Sequence, residues 1–464
     1  MKKFLVVLLS LGLIAGVSAT ASALDVSFSG SYQVEGAYES NVFQSGGVGG
    51  FFGGDTSRAA VWQRFRLQPV FKVAEGLSMT IRMDALEKQW GNTAWRGGSA
   101  DDFSNSRRQT TVVAGNASGQ KIQENIEFER SYVTFDTKIG QFQIGYQRQK
   151  VWGTSWGDWE QTGPRAMFTT KFGPMTMLAL WDKSYEGDQW AQSTIANQRV
   201  DADTDQYVLA GIYNGKGWEA GLLYQYVLGA APRLAAVPYK VKQHVLLPYV
   251  KATFGPVYLE SEWGYSFGKA REYENETAVL KNQDVNAWGG YLKLKTNFGP
   301  AYFGAAGGYS SGDDLSDATK KKNVFNAKGW NPALILLGDD YLTDIFPGGN
   351  AYDAGHFSSY KNSAAGFMIA NIFGGYNVTP KLNLEMSFTS GQFAVSPKTP
   401  TGVEYVSKNM GMELDVTATY KLYDNLSYML GAGYLFTGDA FKGSNSNATI
   451  GNDYMLMNRL ALSF

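Results

Sequence analysis

Arg64, Arg66 and Arg82 stand at alternate positions of two short segments whose remaining alternates are apolar. Val61, Phe65, Leu67 and Phe71 interleave the first segment, and Leu77, Met79, Ile81 and Met83 the second. Successive side chains of a strand point to opposite sides, so this spacing puts the arginines on one face together with Gln68, Lys72, Thr80 and Asp84. A row of fixed charges beside water acts on ions and dipoles; it does not make or break bonds.

Groups that could break bonds are scarce. The chain has no cysteine, which excludes disulfides, thiolate metal sites, a Cys nucleophile and c-type haem. Its two histidines, His244 and His356, leave little room for imidazole metal sites or a catalytic triad, so neither an enzyme nor a cofactor is expected. Asp201, Asp203 and Asp205 begin like a calcium loop, but Gln206 stands where glycine is needed and Ile212 where the closing glutamate would be. Gly49 to Gly54 has no helix after it to make a phosphate site and reads as a loop. Lys320 to Lys322 and the acids of 313–317 read as solvated loop charges. A formal net charge of −1 argues against a nucleic-acid partner.

The elements that position these groups are of two kinds. Lys2 and Lys3, an apolar stretch from Phe4 to Val17 and the small-x-small triplet Ala21-Ser22-Ala23 form a secretory signal peptide, 1–23, cleaved after Ala23. Cleavage leaves 39 basic against 42 acidic residues, a charge of −3, and no later run long enough for a transmembrane helix. Residues 24–464 show period-2 alternation throughout. Met412, Leu414, Val416, Ala418, Tyr420 and Leu422, for example, are interleaved by Glu413, Asp415, Thr417, Thr419 and Lys421. The mean hydropathy of −0.24 is then an average over two opposed faces.

Tight turns recur at Phe172-Gly173-Pro174, Phe254-Gly255-Pro256 and Phe298-Gly299-Pro300, and long polar segments separate the hairpins at 88–121, 184–204, 269–284 and 311–362. Short turns at one rim and long loops at the other indicate an all-β, transmembrane antiparallel β-barrel. Strands are expected at 25–38, 60–73, 77–87, 126–137, 141–149, 166–172, 175–183, 205–213, 217–228, 243–254, 257–267, 285–297, 301–310, 364–376, 382–392, 410–422, 426–436 and 453–464. That makes 18, or 16 if the weak strands around 166–183 or 243–254 fail. Segment 311–362 is long enough to hold a short helix, at the apolar run 332–337, or to fold over the mouth.

The hairpin Arg130-Ser131-Tyr132-Val133-Thr134-Phe135, followed by Lys138-Ile139-Gly140-Gln141-Phe142-Gln143-Ile144-Gly145, resembles that of the Gram-negative outer-membrane trimeric porin family. Phe464, closing an alternating strand, resembles the terminal assembly signal of such barrels. The resemblance implies an inward-folded third loop, here Val151 to Arg165, with Asp158 and Glu160 facing the wall of Arg64, Arg66 and Arg82 as a pore constriction. Opposed charges across a narrow waist would orient water and favour hydrophilic solutes. Trp152, Trp156 and Trp159 of that loop would line the pore as a stacking rail for sugars or, preferred here, wedge the loop against the wall.

What the resemblance implies for function is a passive outer-membrane channel for small hydrophilic solutes and ions. The alternative within the class is a substrate-selective 18-stranded channel for a sugar or organic acid. Implied partners are outer-membrane lipid and lipopolysaccharide, two further copies in a homotrimer, and the barrel assembly machinery. A rim hydrolase and a plugged structural barrel are the competing classes.

Overall fold

In a computed structural model, the described residues are 25–40, 57–90, 126–158, 161–187, 202–235, 237–277, 279–325, 329–336, 364–399 and 402–464. The signal peptide, Asp201, His356, Trp159, Glu160 and the glycine run at 49–54 lie outside them.

The strands are β1 Asp25–Glu39, β2 Arg58–Ala74, β3 Leu77–Gln89, β4 Ile126–Thr137, β5 Gly140–Gln149, β6 Gln161–Phe172 and β7 Met175–Tyr185. They continue as β8 Thr204–Gly215, β9 Trp218–Gly229, β10 Tyr239–Phe254, β11 Val257–Tyr273, β12 Gln283–Phe298 and β13 Ala301–Ser310. After the two-residue β14 Lys320–Lys321 come β15 Phe367–Asn377, β16 Leu382–Gln392, β17 Asn409–Tyr423, β18 Leu426–Thr437 and β19 Asp453–Ser463. β14 is a loop element, paired in parallel to β12 through Asp284 and Val285. The other eighteen pair antiparallel with their neighbours, and β1 bonds to both β2 and β19, so the sheet closes. Closure leaves no open edge to expose backbone groups to lipid.

All eighteen expected strands are present. Pro248, a reason to doubt β10, sits within its ladder opposite Leu222. Pro164 likewise lies inside β6, which begins at Gln161, so the third loop ends earlier than the expected Arg165. The side-chain amides of Gln147 and Gln149 donate to the carbonyls of Arg165 and Pro164, adding bonds where proline has no N–H to give.

Alternation sorts the two faces as the sequence indicates. Outward residues such as Leu209 (61 % exposed) and Leu456 (54 %) contrast with Glu262 on the inner face (0 %). Near the rims the outer face carries aromatic pairs, Tyr213 stacked on Trp218 and Trp288 tilted against Tyr309, which suit a membrane–water interface. His244 belongs to this outer face, where its Nδ1 meets the Tyr224 hydroxyl at 2.8 Å and its ring stacks on Phe267.

The lumen is not lined by polar groups alone. Trp156, Trp330, Leu334, Ile335, Leu336, Phe367, Met410, Leu435 and Met455 form one buried apolar cluster. Part of it comes from inward-facing strand positions and part from two segments that enter the barrel, 151–158 and 329–336.

Candidate pore constriction

Arg66 and Arg82 project from neighbouring strands on the inner face, as their spacing indicates. Between them lies Asp84, the register partner of Arg66 and itself 2 % exposed. Arg66 grips it with two bonds, Nε to Oδ1 at 2.8 Å and Nη2 to Oδ2 at 2.5 Å. Arg82 Nε reaches the same carboxylate at 3.2 Å, and its Nη2 lies 3.8 Å from Glu129. Arg64 shares the face, opposite Gln33 of β1. The wall is therefore a paired network rather than a row of bare cations.

The network extends beyond the expected residues. Arg130, opposite Arg82, lies at a register shift between β3 and β4. Arg165, read from sequence as the end of a loop, is an inner-face strand residue bonded to Asp182 at 2.6 and 2.8 Å. The signal for that pair is cross-strand: Arg165 and Asp182 are direct register partners in the β6–β7 hairpin. Arg148 falls on the opposite, outward parity, next to Tyr146, which is 57 % exposed.

The third loop leaves β5, enters the lumen and seats on β10, β11 and β12. Trp152 donates its indole N–H to the Leu247 carbonyl at 2.9 Å and meets Tyr249 edge-on. Glu262 Oε2 accepts both the backbone N–H and the hydroxyl of Thr154, each at 2.7 Å. Ser155 Oγ lies 3.2 Å from the Tyr291 hydroxyl, which in turn donates to Glu260. Gly157 is needed at this approach, because a Cβ there would collide with the Glu262 carboxylate. Glu262 has no counterpart among the sequence candidates: parity places it inside, yet nothing in the chain says which loop it holds.

Trp152 and Trp156 are 8 % and 3 % exposed, and Trp156 stacks on Tyr291 at 5.8 Å. They are wedges, not a stacking rail. Asp158 folds the loop on itself, its Oδ1 accepting the Trp152 N–H at 3.0 Å. The remaining loop candidates, Trp159 and Glu160, lie outside the described residues.

Residues 329–336 form no helix and pack inside the barrel, while 337–362, the rest of the segment expected to fold over the mouth, lie outside the described residues. The Pro332 carbonyl accepts bonds from Asn371 and Thr389, at 3.1 and 3.2 Å. The backbone N–H groups of Ile335 and Leu336 donate to the two oxygens of Glu413, at 2.7 and 2.5 Å.

Of the calcium-like aspartates, Asp203 and Asp205 are described, and a cation of the chain already stands between them. Lys183 Nζ lies 2.6 Å from Asp203, 3.7 Å from Asp205 and 3.0 Å from Glu186. Among the described residues no group of three His, Asp or Glu side chains is arranged to hold a metal ion. In the long loop, Asp314 is fixed locally, the hydroxyl and N–H of Ser316 pushing its carboxyl down to about 2.

No protein-family model matches the chain, and no curated protein does. Among solved structures it is similar to OccK9 (OpdG) of Pseudomonas aeruginosa, with 14 % identity, a TM-score of 0.51 and coverage of 95 % of this chain and 99 % of that one. OccK8 (OprE) of the same organism overlays at 12 % identity and TM-score 0.49, covering 94 % and 98 %. The anion-selective porin from Comamonas acidovorans overlays at 10 % identity and TM-score 0.44, covering 95 % and 100 %. The overlay on OccK9 spans nearly the whole of both chains and shows a shared fold, a closed antiparallel β-barrel.

Proposed function

We propose that this chain is an outer-membrane channel for passive diffusion of small hydrophilic solutes and ions. The observation that carries the reading is a closed barrel with an apolar outer face, a charged inner wall and a loop seated within the lumen. The aqueous path runs past the wall of Arg64, Arg66 and Arg82, with the loop carrying Asp158 and Glu160 as its other boundary. A secretory leader at 1–23 delivers the chain, and Phe464 serves as the assembly signal read by the barrel assembly machinery. The working form is a homotrimer embedded among lipid and lipopolysaccharide, and the protein performs no catalysis.

The test is reconstitution of the purified barrel in a planar bilayer. Stepwise ion conductance is the expected result, and electrical silence across independent preparations would overturn the proposal. A second reading, a channel selective for one sugar or organic acid, is favoured by the second in-folded segment, which narrows the lumen further. Saturable uptake of one solute in proteoliposomes would support it over general diffusion.

A further inference from the structure

We infer that Glu413 is the positioning residue of a second internal constriction: its carboxylate latches residues 329–336 against the lumen wall, and breaking that latch widens the passage. The inference rests on the channel reading above.

The segment is built to be received by the wall. Ile335 and Leu336 are 1 % and 0 % exposed, and Leu334 and Trp330 are buried beside them. Two of the strand residues beneath it are glycines. A Cβ at Gly308 would collide with the Trp330 ring, and one at Gly433 would lie 3.4 Å from Leu334 Cβ and 2.6 Å from Asp415 Oδ1. At its start the segment abuts the third loop, where Gly329 lies against the carbonyls of Ser155 and Asp158. The two segments thus form one bridge, anchored on β11 by Glu262 and on β17 by Glu413.

The residue type at 413 distinguishes a latch from ordinary core packing. Around it the inner face is mixed: Met410, Leu435 and Met455 are at 0 % exposure, and beside them stand two buried polar residues, its register partner Thr389 (0 %) and Asp415 (4 %). A buried carboxylate carries a desolvation cost, offset here by the Ile335 and Leu336 N–H groups, which an apolar side chain would leave buried without acceptors. Glu413 can be satisfied in two states. With the segment seated it accepts two backbone N–H bonds; with the segment lifted it is hydrated by the lumen. No such second state exists for the apolar residues around it, so Glu413 decides between them.

The experiment compares the full-length wild type with Glu413→Gln in planar bilayers and in liposome swelling with neutral sugars of increasing size. Glutamine keeps one acceptor and turns an N–H toward the other backbone donor. A ~2-fold rise in conductance and passage of larger sugars are expected. The wild type contains no cysteine, so Leu334→Cys with Gly433→Cys offers an independent lock. Their Cβ atoms, about 3.4 Å apart, are close to disulfide distance. Oxidation of this pair in the Glu413→Gln background is expected to restore wild-type conductance, and reductant to release it. If Glu413→Gln fails to fold, the same pair in the wild-type background keeps the question open to test: oxidation should suppress current fluctuations and reduction return them. A folded Glu413→Gln channel with unchanged conductance and size limit would overturn the latch while leaving the channel intact. Silence of wild type and all variants would overturn the channel reading itself.

Discussion

Trp156 and Trp330 meet inside the barrel with ring centroids 6.0 Å apart, one from the third loop and the other from the long loop after β13. Both also pack on Tyr291 of β12, so three rings from distant parts of the chain share one contact. Large aromatic surfaces supply much packing energy with little rotamer freedom to lose, which suits a junction that must hold two loops in one geometry. The two in-folded segments therefore pack as one unit, each tied to the wall by a glutamate.

Removing either ring is expected to loosen both segments. Trp156→Ala vacates a buried site, and such truncations cost about 3–5 kcal/mol where the site cannot collapse. The barrel ladder does not depend on this ring, so the loss is local. Trp156→Ala is expected to retain the heat-modifiable gel shift of a folded barrel while its single-channel trace becomes noisy. Trp330→Ala is expected to give the same noise, and the double variant little more than either single one, because they share a contact. Additive effects in bilayer recordings would argue against one packed unit.

Asp84 controls how much of the arginine charge the lumen feels. Asp84→Asn removes the carboxylate bonded to both Arg66 and Arg82 and leaves the two guanidinium groups beside one amide. Hydrogen bonds to charged groups contribute roughly 1.5–3 kcal/mol each, so a modest loss of stability accompanies the change. Reversal potentials in a KCl gradient are expected to move toward chloride. Arg64→Ala with Arg66→Ala and Arg82→Ala is expected to move them toward potassium and to raise conductance. Equal reversal potentials in all three proteins would remove this wall from the ion path.

The fold was legible because the spans share one feature that leaves a mark in the sequence: apolar residues recur at every second position on the outer face. Arg64, Arg66, Arg82 and Asp84 could be assigned to the lumen on parity alone. What parity does not carry is pairing between strands. Arg66 meets Asp84 only through the register of the β2–β3 hairpin, which shifts twice along its length. The destination of residues 329–336 was further out of reach. Pro332 and the apolar run after it allow a helix, a cover or a plug, and the outcome depends on Glu413, Asn371 and Thr389, which lie on later strands. Glu262 was hidden for the same reason, since its value lies in the backbone donors of a loop that precedes it by two hairpins.

Lys183 explains why the aspartates at 203 and 205 need no calcium, and it supplies a test. In the native chain one ammonium group pairs with Asp203, Asp205 and Glu186. Lys183→Met leaves the nearly buried carboxylates of Asp203 and Asp205 without their cation. Removing one partner of a buried ion pair costs about 3–5 kcal/mol. Lys183→Met is therefore expected to lose its heat-modifiable folded band at a lower temperature than the wild type, and Asp203→Asn in the same background to recover part of the loss. Equal melting of the wild type and Lys183→Met would mean that the lysine does not hold these aspartates.

The closing seam is the place where one atom too many is expected to stop assembly. Gly30 and Phe464 exchange backbone bonds, Gly30 N–H to the Phe464 carbonyl at 2.8 Å and Phe464 N–H to the Gly30 carbonyl at 3.1 Å. The Phe464 ring covers Gly30 and stacks beside Phe65 with centroids 6.4 Å apart. A Cβ at position 30 would stand 2.5 Å from both the Arg66 carbonyl and the Phe464 ring. The β1–β19 pairing joins the two ends of the chain, so it carries the largest loop-closure cost of any strand pair and has the least tolerance for misfit. An unclosed pair also leaves backbone donors in lipid, each costing several kcal/mol. Gly30→Ala is therefore expected to fold slowly and incompletely in detergent, read as loss of the heat-modifiable band. Phe464→Ala is expected to weaken the seam less in vitro, since it removes packing without adding a clash. In cells, loss of the terminal aromatic is expected to lower the amount of folded barrel more than Gly30→Ala does, because recognition by the assembly machinery is lost as well. If both variants fell equally in cells and in detergent, Phe464 would be acting through the seam alone.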